Sequence, residues 1–489
     1  MNLRRRFWWG TVAFLLVASY ISNASAPVSV VMLSDVHFDP YHDPAKLPAL
    51  READVSEWAR ILITPNSPTQ QQDFALLQKT CHARGEDSSW QVLSGSLQAA
   101  RIQDPKPLFV TMSGDLLTHN FDCRMKTLVP SATAQDISEF AEKTVAFISL
   151  ELRQTFPGIP VYIALGNNDS GCTNYHQSPG SRFVHSAAES SAAGFTKPVY
   201  QRIAVRAFSA RGDYSVILPA PMDETRLVIL QDVFESPLYQ DCDGKTKQEE
   251  AVAQIRWLRA QLMAATSEHQ HVWIMAHIPP GVDEFAAFHK YTDHPANMCE
   301  VLHPTPMLTS DALADTITQF SDIVRLAIFA HTHMDEIKLL HDNDGGRVPA
   351  KLVPSISPVN GNNPAFIVAE VDPHSAIVKD YSVFVAADKT ASSWMEEYKY
   401  SSTYKLKDFS ADSVAQLSAS LAGDKQGTDA SSIAYQKWFF PGDTGDFARG
   451  LKQIWPSYAC STAEDGGQGF HDCMCPANPQ QTAASNTRQ

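Results

Sequence analysis

Several features that would point to other classes of protein are scarce or absent in this sequence. Only 19% of its 489 residues are charged and 44% are hydrophobic, which is the composition of a folded globular chain and not of a disordered one. Basic residues are fewer than acidic ones, 39 against 54, and the net charge of -15 argues against binding a nucleic-acid duplex through a broad basic face. The sequence has neither a Gly-x-Ser-x-Gly nucleophile elbow nor a Walker-type phosphate loop, which excludes those two enzyme templates.

Long apolar runs are also missing, except at the start of the chain. Three arginines precede an apolar run over residues 7–20, and small residues follow it up to Ala24. This order predicts a signal peptide over residues 1–24 and an exported protein, either secreted or periplasmic. The alternative is an uncleaved anchor, but the run is shorter than the ~20 residues that a spanning helix needs. No later run approaches that length, so we expect no stable membrane anchor after cleavage.

The cysteine content fits an exported protein. The chain has eight cysteines: Cys81, Cys123, Cys172, Cys242, Cys299, Cys460, Cys473 and Cys475. In an oxidising compartment we expect disulfides, although the sequence does not give their pairing. The segment from His471 to Cys475 has the residue types of a zinc-site fragment, but a bridge among Cys460, Cys473 and Cys475 is the favoured interpretation.

Short apolar runs that are rich in β-branched residues predict buried strands. They lie at residues 28–33, 108–111, 161–165, 227–230, 272–276, 323–329, 365–371 and 377–384. Helical periodicity at residues 137–152 and 249–262 separates some of them, so we expect an α/β fold. We assign residues 27–385 to one large domain and residues 386–476 to a smaller helical region, with helices at 406–421 and 433–438. The polar residues 477–489 are expected to be a disordered tail.

Polar side chains follow five of the predicted strands at the point where each strand ends. They are Asp35, His37, Asp115, Asn167, His277, His331 and His333. Because open α/β sheets build their sites at the carboxyl ends of strands, we expect these side chains to meet in one crevice. Imidazole and carboxylate ligands suit zinc, iron or manganese and argue against calcium.

Local spacing suggests how these side chains would be presented. The pairs Asp35/His37 and His331/His333 are two residues apart, so in extended backbone both members of a pair point the same way. Gly114 and Gly166 are expected where the chain turns tightly beside the ions, since glycine tolerates such turns.

The order Asp-x-His, Gly-Asp, Gly-Asn-x-Asp, His and His-x-His resembles the calcineurin-like metallophosphoesterase family. This resemblance implies a four-layer αββα sandwich and two divalent metal ions, with zinc favoured over iron or manganese. It further implies a ligand set for each ion. The first ion would be held by Asp35, His37 and His333, the second by Asn167, His277 and His331, and Asp115 would bridge both.

Within that family the sequence is most similar to the acid sphingomyelinase-like phosphodiesterases. The similarity lies in the motifs that begin at Asp35, at Asp87 (Asp-Ser-Ser-Trp), at His277 (His-Ile-Pro-Pro-Gly) and at Pro354. It implies a metal-dependent phosphoric ester hydrolase in which a metal-bound hydroxide attacks a phosphodiester. The implied substrates are sphingomyelin-like lipid headgroups or nucleotides.

One position departs from the family pattern. Most relatives have a histidine where this chain has Asn168, and an amide is able to hydrogen-bond a leaving oxygen but not to protonate it. His119 matches a second active-site histidine of the sphingomyelinase-like group and is the candidate general acid, the alternative being an ordinary polar loop residue. Endopolyphosphatases share the Gly-Asn-Asn-Asp sequence, so hydrolysis of polyphosphate or another phosphoanhydride is a second hypothesis. A metal-binding protein whose catalysis has decayed is a third.

Overall fold

Two six-stranded sheets form the centre of the protein in a computed structural model that describes residues 26–195, 198–284, 286, 304–442, 446–463 and 466–475. The first sheet contains β1 (Val28–Leu33), β2 (Phe109–Met112), β3 (Val161–Ile163), β10 (Ala365–Val371), β11 (Val378–Ala386) and β12 (Trp394–Lys399). The second contains β4 (Tyr214–Ile217), β5 (Thr225–Ile229), β6 (His271–Met275), β7 (Val324–Phe329), β8 (Glu336–His341) and β9 (Arg347–Leu352). The predicted signal peptide, the predicted tail and Cys299 lie outside the described residues.

The strand orders place parallel strands side by side at one end of the first sheet and in the middle of the second. The first sheet runs β12-β11-β10-β1-β2-β3, with β1, β2 and β3 parallel and the other pairs antiparallel. The second runs β4-β5-β6-β7-β9-β8, with β5, β6, β7 and β9 parallel. The carboxyl ends of parallel strands therefore lie together at one edge of each sheet.

Alternating side chains give the second sheet two buried faces. Leu227 and Trp273 belong to the core that this sheet shares with the first sheet. Val228 and Ile274, one residue further along, pack with Leu258 in a separate apolar cluster. Because successive strand residues point to opposite faces, one face meets the other sheet and one meets helices.

Helices complete the outer layers. Their bounds are α1 Leu47–Glu52, α2 Trp58–Leu62, α3 Gln70–Thr80, α4 Trp90–Gln103, α5 Phe121–Leu128, α6 Ala134–Thr155, α7 Arg182–Ala192, α8 Pro198–Arg211, α9 Gln248–Ser267, α10 Ala312–Thr318, α11 Tyr400–Tyr404, α12 Ala411–Gly423, α13 Ala430–Trp438, α14 Asp446–Ser461 and α15 Gly467–Met474. Helix α4 packs on β10 and on α6, and α9 packs on β5 and β6. The predicted α/β sandwich with helices outside two sheets is confirmed. No helix in the described part of the chain is both long and apolar enough to cross a membrane.

The structure differs from the predicted elements mainly in the second half of the chain. Strands β8 and β9 were not predicted, because the buried lysines Lys338 and Lys351 interrupt their apolar pattern. Strand β12 pairs with β11 beyond the predicted boundary at residue 385, so the sheet continues to Lys399 and the first helix after it begins at Tyr400. The helix predicted from residue 406 begins at Ala411.

Three disulfides lie between residues that the structure describes. Cys81 bonds to Cys123 and Cys172 bonds to Cys242, 42 and 70 positions apart in the sequence. Cys460 bonds to Cys473, which confirms a bridge in this region over a zinc-site fragment.

A buried ion pair joins the segment after β1 to α5. The Arg124 guanidinium lies 2.9 Å from Asp39 Oδ2, and neither side chain is exposed to solvent. The same guanidinium donates to the carbonyl of His119 at 2.9 Å and to Gln78 Oε1 at 2.8 Å. Since every nitrogen of the guanidinium has a partner, removing this cation leaves a buried carboxylate uncompensated.

We therefore expect Arg124→Met to lower the free energy of unfolding by about 3–5 kcal/mol, measured by urea denaturation. The matched control is Arg60→Met, because Arg60 pairs with Glu57 at 2.8 Å on the surface with 75% of its side chain exposed. That substitution should cost less than about 1 kcal/mol. Equal losses for the two variants would contradict a special role for the buried pair.

Candidate metal centre

The structure brings all seven predicted ligand residues together where strands from the two sheets end. They follow five strands: Asp35 and His37 after β1, Asp115 after β2, Asn167 after β3, His277 after β6, and His331 and His333 after β7. The two neighbouring sheets thus supply the two halves of one cluster.

Asp115 lies in the middle of this cluster. Its Oδ2 atom is 3.4 Å from His37 Nε2 and 3.2 Å from His277 Nε2. On one side, Asp35 Oδ1 lies 3.5 Å from His333 Nε2, which is itself 3.3 Å from His37 Nε2. Donor atoms of Asp115, His277 and His331 also lie within 4.8 Å of one another, as do those of Asp35, His37 and Asp115. These two groups share Asp115, as two ions with a bridging carboxylate would require.

The backbone at the cluster is left-handed, not extended as the spacing suggested. The φ angles are 45° at Asp35, 41° at His37, 53° at Asp115, 74° at His331 and 68° at His333. Non-glycine residues rarely adopt this conformation, and it costs of order 1–3 kcal/mol at each position. The prediction of extended pairs was wrong because the chain turns sharply after each strand in order to aim these side chains inward.

Two glycines make room for the cluster. At Gly114, where φ is 105°, a Cβ atom would lie 2.7 Å from His277 Nδ1. At Gly166 it would lie 2.1 Å from Asp115 Oδ1. Gly114 has the positive φ angle of the predicted tight turn. At Gly166 a glycine is required because the side chain of Asp115 approaches the backbone closely.

Hydrogen bonds orient two of the imidazoles. His37 Nδ1 donates to the carbonyl of Leu117 at 2.8 Å, and His277 Nδ1 donates to the carbonyl of Ser113 at 2.9 Å. Both Nε2 lone pairs therefore face the carboxylates, which is how proteins usually present a histidine to a metal.

Burial and charge shift the pKa values of the cluster in opposite directions. Burial alone would raise the pKa of Asp115, but His277 and His37 hold it well below its usual range. Burial would lower the pKa of His277, but the Asp115 carboxylate raises it to about 10. His331 has no equally close anion, so burial lowers its pKa to about 4. The cluster thus combines ionised carboxylates with one imidazole that favours its protonated form, His277, and one that favours its neutral form, His331.

Several buried oxygens and ring nitrogens that could bind a metal ion have no hydrogen-bond partner among the described residues. They are both carboxylate oxygens of Asp35, Asn167 Oδ1, His277 Nε2, His331 Nδ1 and His333 Nδ1. Buried polar atoms are rarely left unpaired, and here unpaired atoms from five of the seven predicted ligand residues lie in one cluster. Oxygen and imidazole nitrogen in this combination fit two divalent metal ions, although they do not identify the metal.

Comparison with known proteins agrees with this geometry. No family model matches the chain. Human acid sphingomyelinase-like phosphodiesterase 3b is 25% identical over 355 residues, which cover 69% of this chain and 71% of that protein. Human cyclic GMP-AMP phosphodiesterase SMPDL3A is 23% identical over 373 residues, covering 72% and 73%. Sphingomyelinase phosphodiesterase C of Dictyostelium discoideum is 23% identical over 414 residues, covering 79% and 82%.

The sequence is similar to known phosphodiesterases over 69–79% of its length. The similarity to acid sphingomyelinase-like phosphodiesterases that its motifs indicated is confirmed, and so is its class as a metal-dependent phosphoester hydrolase. Among solved structures, a dimetal phosphatase from Danio rerio aligns with a TM-score of 0.40 and 13% identity, covering 73% of this chain and 95% of that one.

Two buried carboxylates support the candidate metal centre without belonging to the predicted ligand set. Asp169 accepts hydrogen bonds from the backbone N–H groups of Leu116, Leu117 and Gly166 at 2.8–3.0 Å, and so holds the turns around Asp115. Asp232 accepts from the N–H of His277 at 3.3 Å. Burial raises the pKa of each to about 7. Asp169 is the last residue of the Gly-Asn-x-Asp motif, whereas no pattern in the sequence indicated Asp232.

His119 lies beside the cluster, with its ring stacked on that of His37 at a centroid distance of 4.0 Å. Its Nδ1 donates to Asp87 Oδ1 at 3.0 Å, and its Nε2 accepts from Arg84 Nη2 at 3.0 Å. The buried Asp87 carboxylate also accepts from Thr118 Oγ1 and from the N–H of His119, at 2.7 and 2.8 Å. The sequence suggested His119 and, separately, the motif that begins at Asp87, but it indicated neither their contact nor Arg84, because both partners come from a loop more than 30 residues away.

Asn168 faces Asp115. Its backbone N–H donates to Asp115 Oδ1 at 2.9 Å and its side-chain amide donates to Oδ2 at 2.8 Å. Both carboxylate oxygens of the central ligand are therefore oriented by one residue. Asn168 also lines the adjoining cavity, so it lies within reach of a substrate bound there.

A cavity of about 460 Å³ opens over the cluster. Its floor includes Asp115, Asn167, His331 and His333. Its walls carry Arg84 and His119, the acids Asp283, Glu284 and Glu336, and an aromatic surface of Tyr175, Phe439, Phe440 and Tyr458. The C-terminal region thus contributes directly to the site, which the sequence did not indicate.

Proposed function

We propose that this metallophosphoesterase is an exported phosphodiesterase that hydrolyses phosphodiesters such as lipid-headgroup or nucleotide esters. The proposal rests on one observation. Buried oxygens and ring nitrogens without hydrogen-bond partners lie at the floor of a cavity that is large enough for a small organic phosphate. The disulfides support an oxidising destination, and hence the expected secreted or periplasmic location.

In this proposal the ligand residues divide into two sets that share Asp115. Asp35, His37 and His333 hold the first ion, and Asn167, His277 and His331 hold the second. Zinc is the favoured metal because its usual ligands include imidazole and carboxylate. When bound, the ions supply positive charge for the phosphoryl oxygens and lower the pKa of a water near them.

The residues of the chain then have distinct tasks. Asn168 orients Asp115 and offers an amide to the substrate's oxygens. His119 lies at the wall of the cavity, and its bond to Asp87 fixes which ring nitrogen faces the substrate. This position supports His119 as the group that hydrogen-bonds or protonates the leaving oxygen. The aromatic wall offers apolar contact to the rest of the substrate.

Two other functions remain as hypotheses. Hydrolysis of polyphosphate or another phosphoanhydride is favoured by Asn168, because a phosphate leaving group needs little protonation. A decayed, purely metal-binding protein is disfavoured, because the predicted ligand residues cluster and four of them, Asp115, Asn167, His331 and His333, line a cavity.

The ligand assignment predicts the metal content of variants. Zinc-loaded protein should contain about two ions per chain, His277→Ala about one, and Asp115→Ala fewer than one, measured by plasma mass spectrometry after gel filtration. His185→Ala is the control, because that histidine is 57% exposed and distant from the cluster, and it should keep both ions. Two tightly held ions in His277→Ala would contradict the assignment.

His119→Ala should lower turnover of a phosphodiester about a hundredfold or more while leaving metal content intact, because general acid catalysis is lost but no ligand is removed. Turnover and metal content are measured on the same preparation. Unchanged turnover would remove His119 from the mechanism.

The activity itself is tested with the metal-loaded protein on bis-p-nitrophenyl phosphate, followed by sphingomyelin, nucleotides and inorganic polyphosphate side by side. We expect cleavage of the chromogenic diester and of at least one natural diester, both abolished by a chelator. No cleavage of any diester by fully loaded protein would overturn the proposed function, and cleavage of polyphosphate alone would establish the anhydride hypothesis instead.

A further inference from the structure

The loop that follows Asn167 returns to the metal centre a second time. The backbone N–H of Tyr175 donates to the carbonyl of Asn167 at 2.9 Å, which closes a loop over residues 167–175. Both Asn174 and Tyr175 line the metal cavity. Two residues at the end of this loop therefore lie beside the ligands without belonging to the predicted ligand set.

Asn174 determines which end of the Asn167 amide remains free. The Oδ1 atom of Asn174 accepts a hydrogen bond from Asn167 Nδ2 at 2.8 Å. Asn167 Oδ1 is buried and has no hydrogen-bond partner among the described residues. The oxygen of an amide has lone pairs for a cation, whereas its NH₂ group only donates hydrogen bonds. The contact with Asn174 thus occupies the donor and leaves the ligand oxygen free.

Tyr175 orients His331 in a similar way. The hydroxyl oxygen of Tyr175 lies 3.3 Å from His331 Nε2, and the two rings are nearly perpendicular at 85°. His331 Nδ1 is buried and has no hydrogen-bond partner among the described residues. A histidine that binds a metal ion usually donates its other ring N–H to an oxygen, which fixes the tautomer. With the proton on Nε2 and directed at Tyr175, the lone pair of Nδ1 is left for an ion.

These contacts fall on one half of the metal centre. Asn167 and His331 both belong to the set assigned to the second ion. Among the described residues, the side chains of Asn174 and Tyr175 form no hydrogen bond with a ligand assigned to the first ion alone. His37 of that set is oriented by a different segment, through the carbonyl of Leu117. A change in the loop should therefore affect the two ions unequally.

Covalent and backbone contacts hold the loop in place. The disulfide between Cys172 and Cys242 joins it to the segment that precedes α9. In that segment the N–H of Gln240 donates to the carbonyl of Tyr175 at 3.2 Å, and its carbonyl accepts from the N–H of Gln177 at 3.0 Å. Tyr175 has a φ angle of 59°, which a tyrosine rarely adopts unless its surroundings fix it. The two side chains are thus placed before an ion binds.

We propose that Asn174 and Tyr175 are positioning residues that raise the affinity of the protein for the second metal ion and leave its affinity for the first ion unchanged. Asn174 acts by freeing the amide oxygen of Asn167. Tyr175 acts by holding the tautomer and the ring orientation of His331. The inference rests on the division of the ligands in the proposed function, but it does not depend on the substrate.

The test measures stepwise zinc binding by the full-length protein in competition with a chelator of known zinc affinity, which gives a Kd for each ion. The step that disappears in His277→Ala belongs to the second ion. We expect Tyr175→Phe and Asn174→Ala each to raise the Kd of that step about tenfold or more, because hydrogen bonds to metal ligands commonly contribute that much. The Kd of the other step should change less than about threefold.

Three controls distinguish positioning from a general loss of structure. Asn174→Asp keeps an acceptor for the Asn167 amide, so the second Kd should stay at the wild-type value or fall. Tyr400→Phe removes a buried hydroxyl that has no hydrogen-bond partner among the described residues, and both Kd values should be unchanged. In a His277→Ala background, Asn174→Ala should leave the Kd of the remaining ion unchanged.

An unchanged second Kd in Tyr175→Phe or in Asn174→Ala would overturn the inference, and so would an equal weakening of both ions. If His277→Ala kept both ions, the division of the ligands in the proposed function would be wrong and the inference would fail with it. Absence of diester turnover in the zinc-loaded wild-type protein would count against the proposed function alone, because the Kd values are measured without turnover.

Discussion

The whole site depends on one electrostatic constraint, which is that carboxylates and imidazoles are buried within 4 Å of one another. Asp35 and Asp115 have essentially no contact with water, and three imidazole nitrogens approach them at 3.2–4.0 Å. Burying unsolvated charge is costly unless opposite charge compensates it. A pair of divalent cations is a compact form of such compensation, and it would give several of the unpaired atoms a ligand role. The metal requirement and the burial are therefore two aspects of the same arrangement.

The fold holds this arrangement with backbone rather than with side-chain packing alone. The turns after β1, β2 and β7 place five ligand residues in left-handed conformations that an isolated chain would avoid. They persist because other parts of the chain fix them. Asp169 holds the turns around Asp115, and the carbonyl of Asp35 accepts from the N–H of Ser357 at 2.9 Å and from Ser355 Oγ at 3.1 Å. The rigid sheets thus impose local strain that positions the donors before any ion binds.

The burial of apolar and polar side chains also explains which strands and site residues could be predicted from the sequence. The ligand residues could be predicted because polar residues directly after apolar runs are unusual. Strands β1 and β10 were predicted at their full extent because their apolar runs have clear ends. Strands β8 and β9 were hidden because Lys338 and Lys351 are buried against acids, and pairing of that kind leaves no periodic signal. Arg84 and the aromatic wall from the C-terminal region reach the site through tertiary contacts across 30 to several hundred residues, which no local pattern encodes, and the motif at Asp87 did not indicate its contact with His119.

The substitution at Asn168 is best understood together with the surroundings of His119. Where a histidine could donate a proton, Asn168 gives both its hydrogen bonds to Asp115, so its task is to orient the central carboxylate. Asp87 holds the Nδ1 proton of His119 and Arg84 donates to Nε2, so Nε2 has to take up a proton before it can act as the general acid. Leaving groups that depart as stable anions need less protonation than an alkoxide does. The features that weaken protonation of an alkoxide are therefore the same features that suit a departing phosphate.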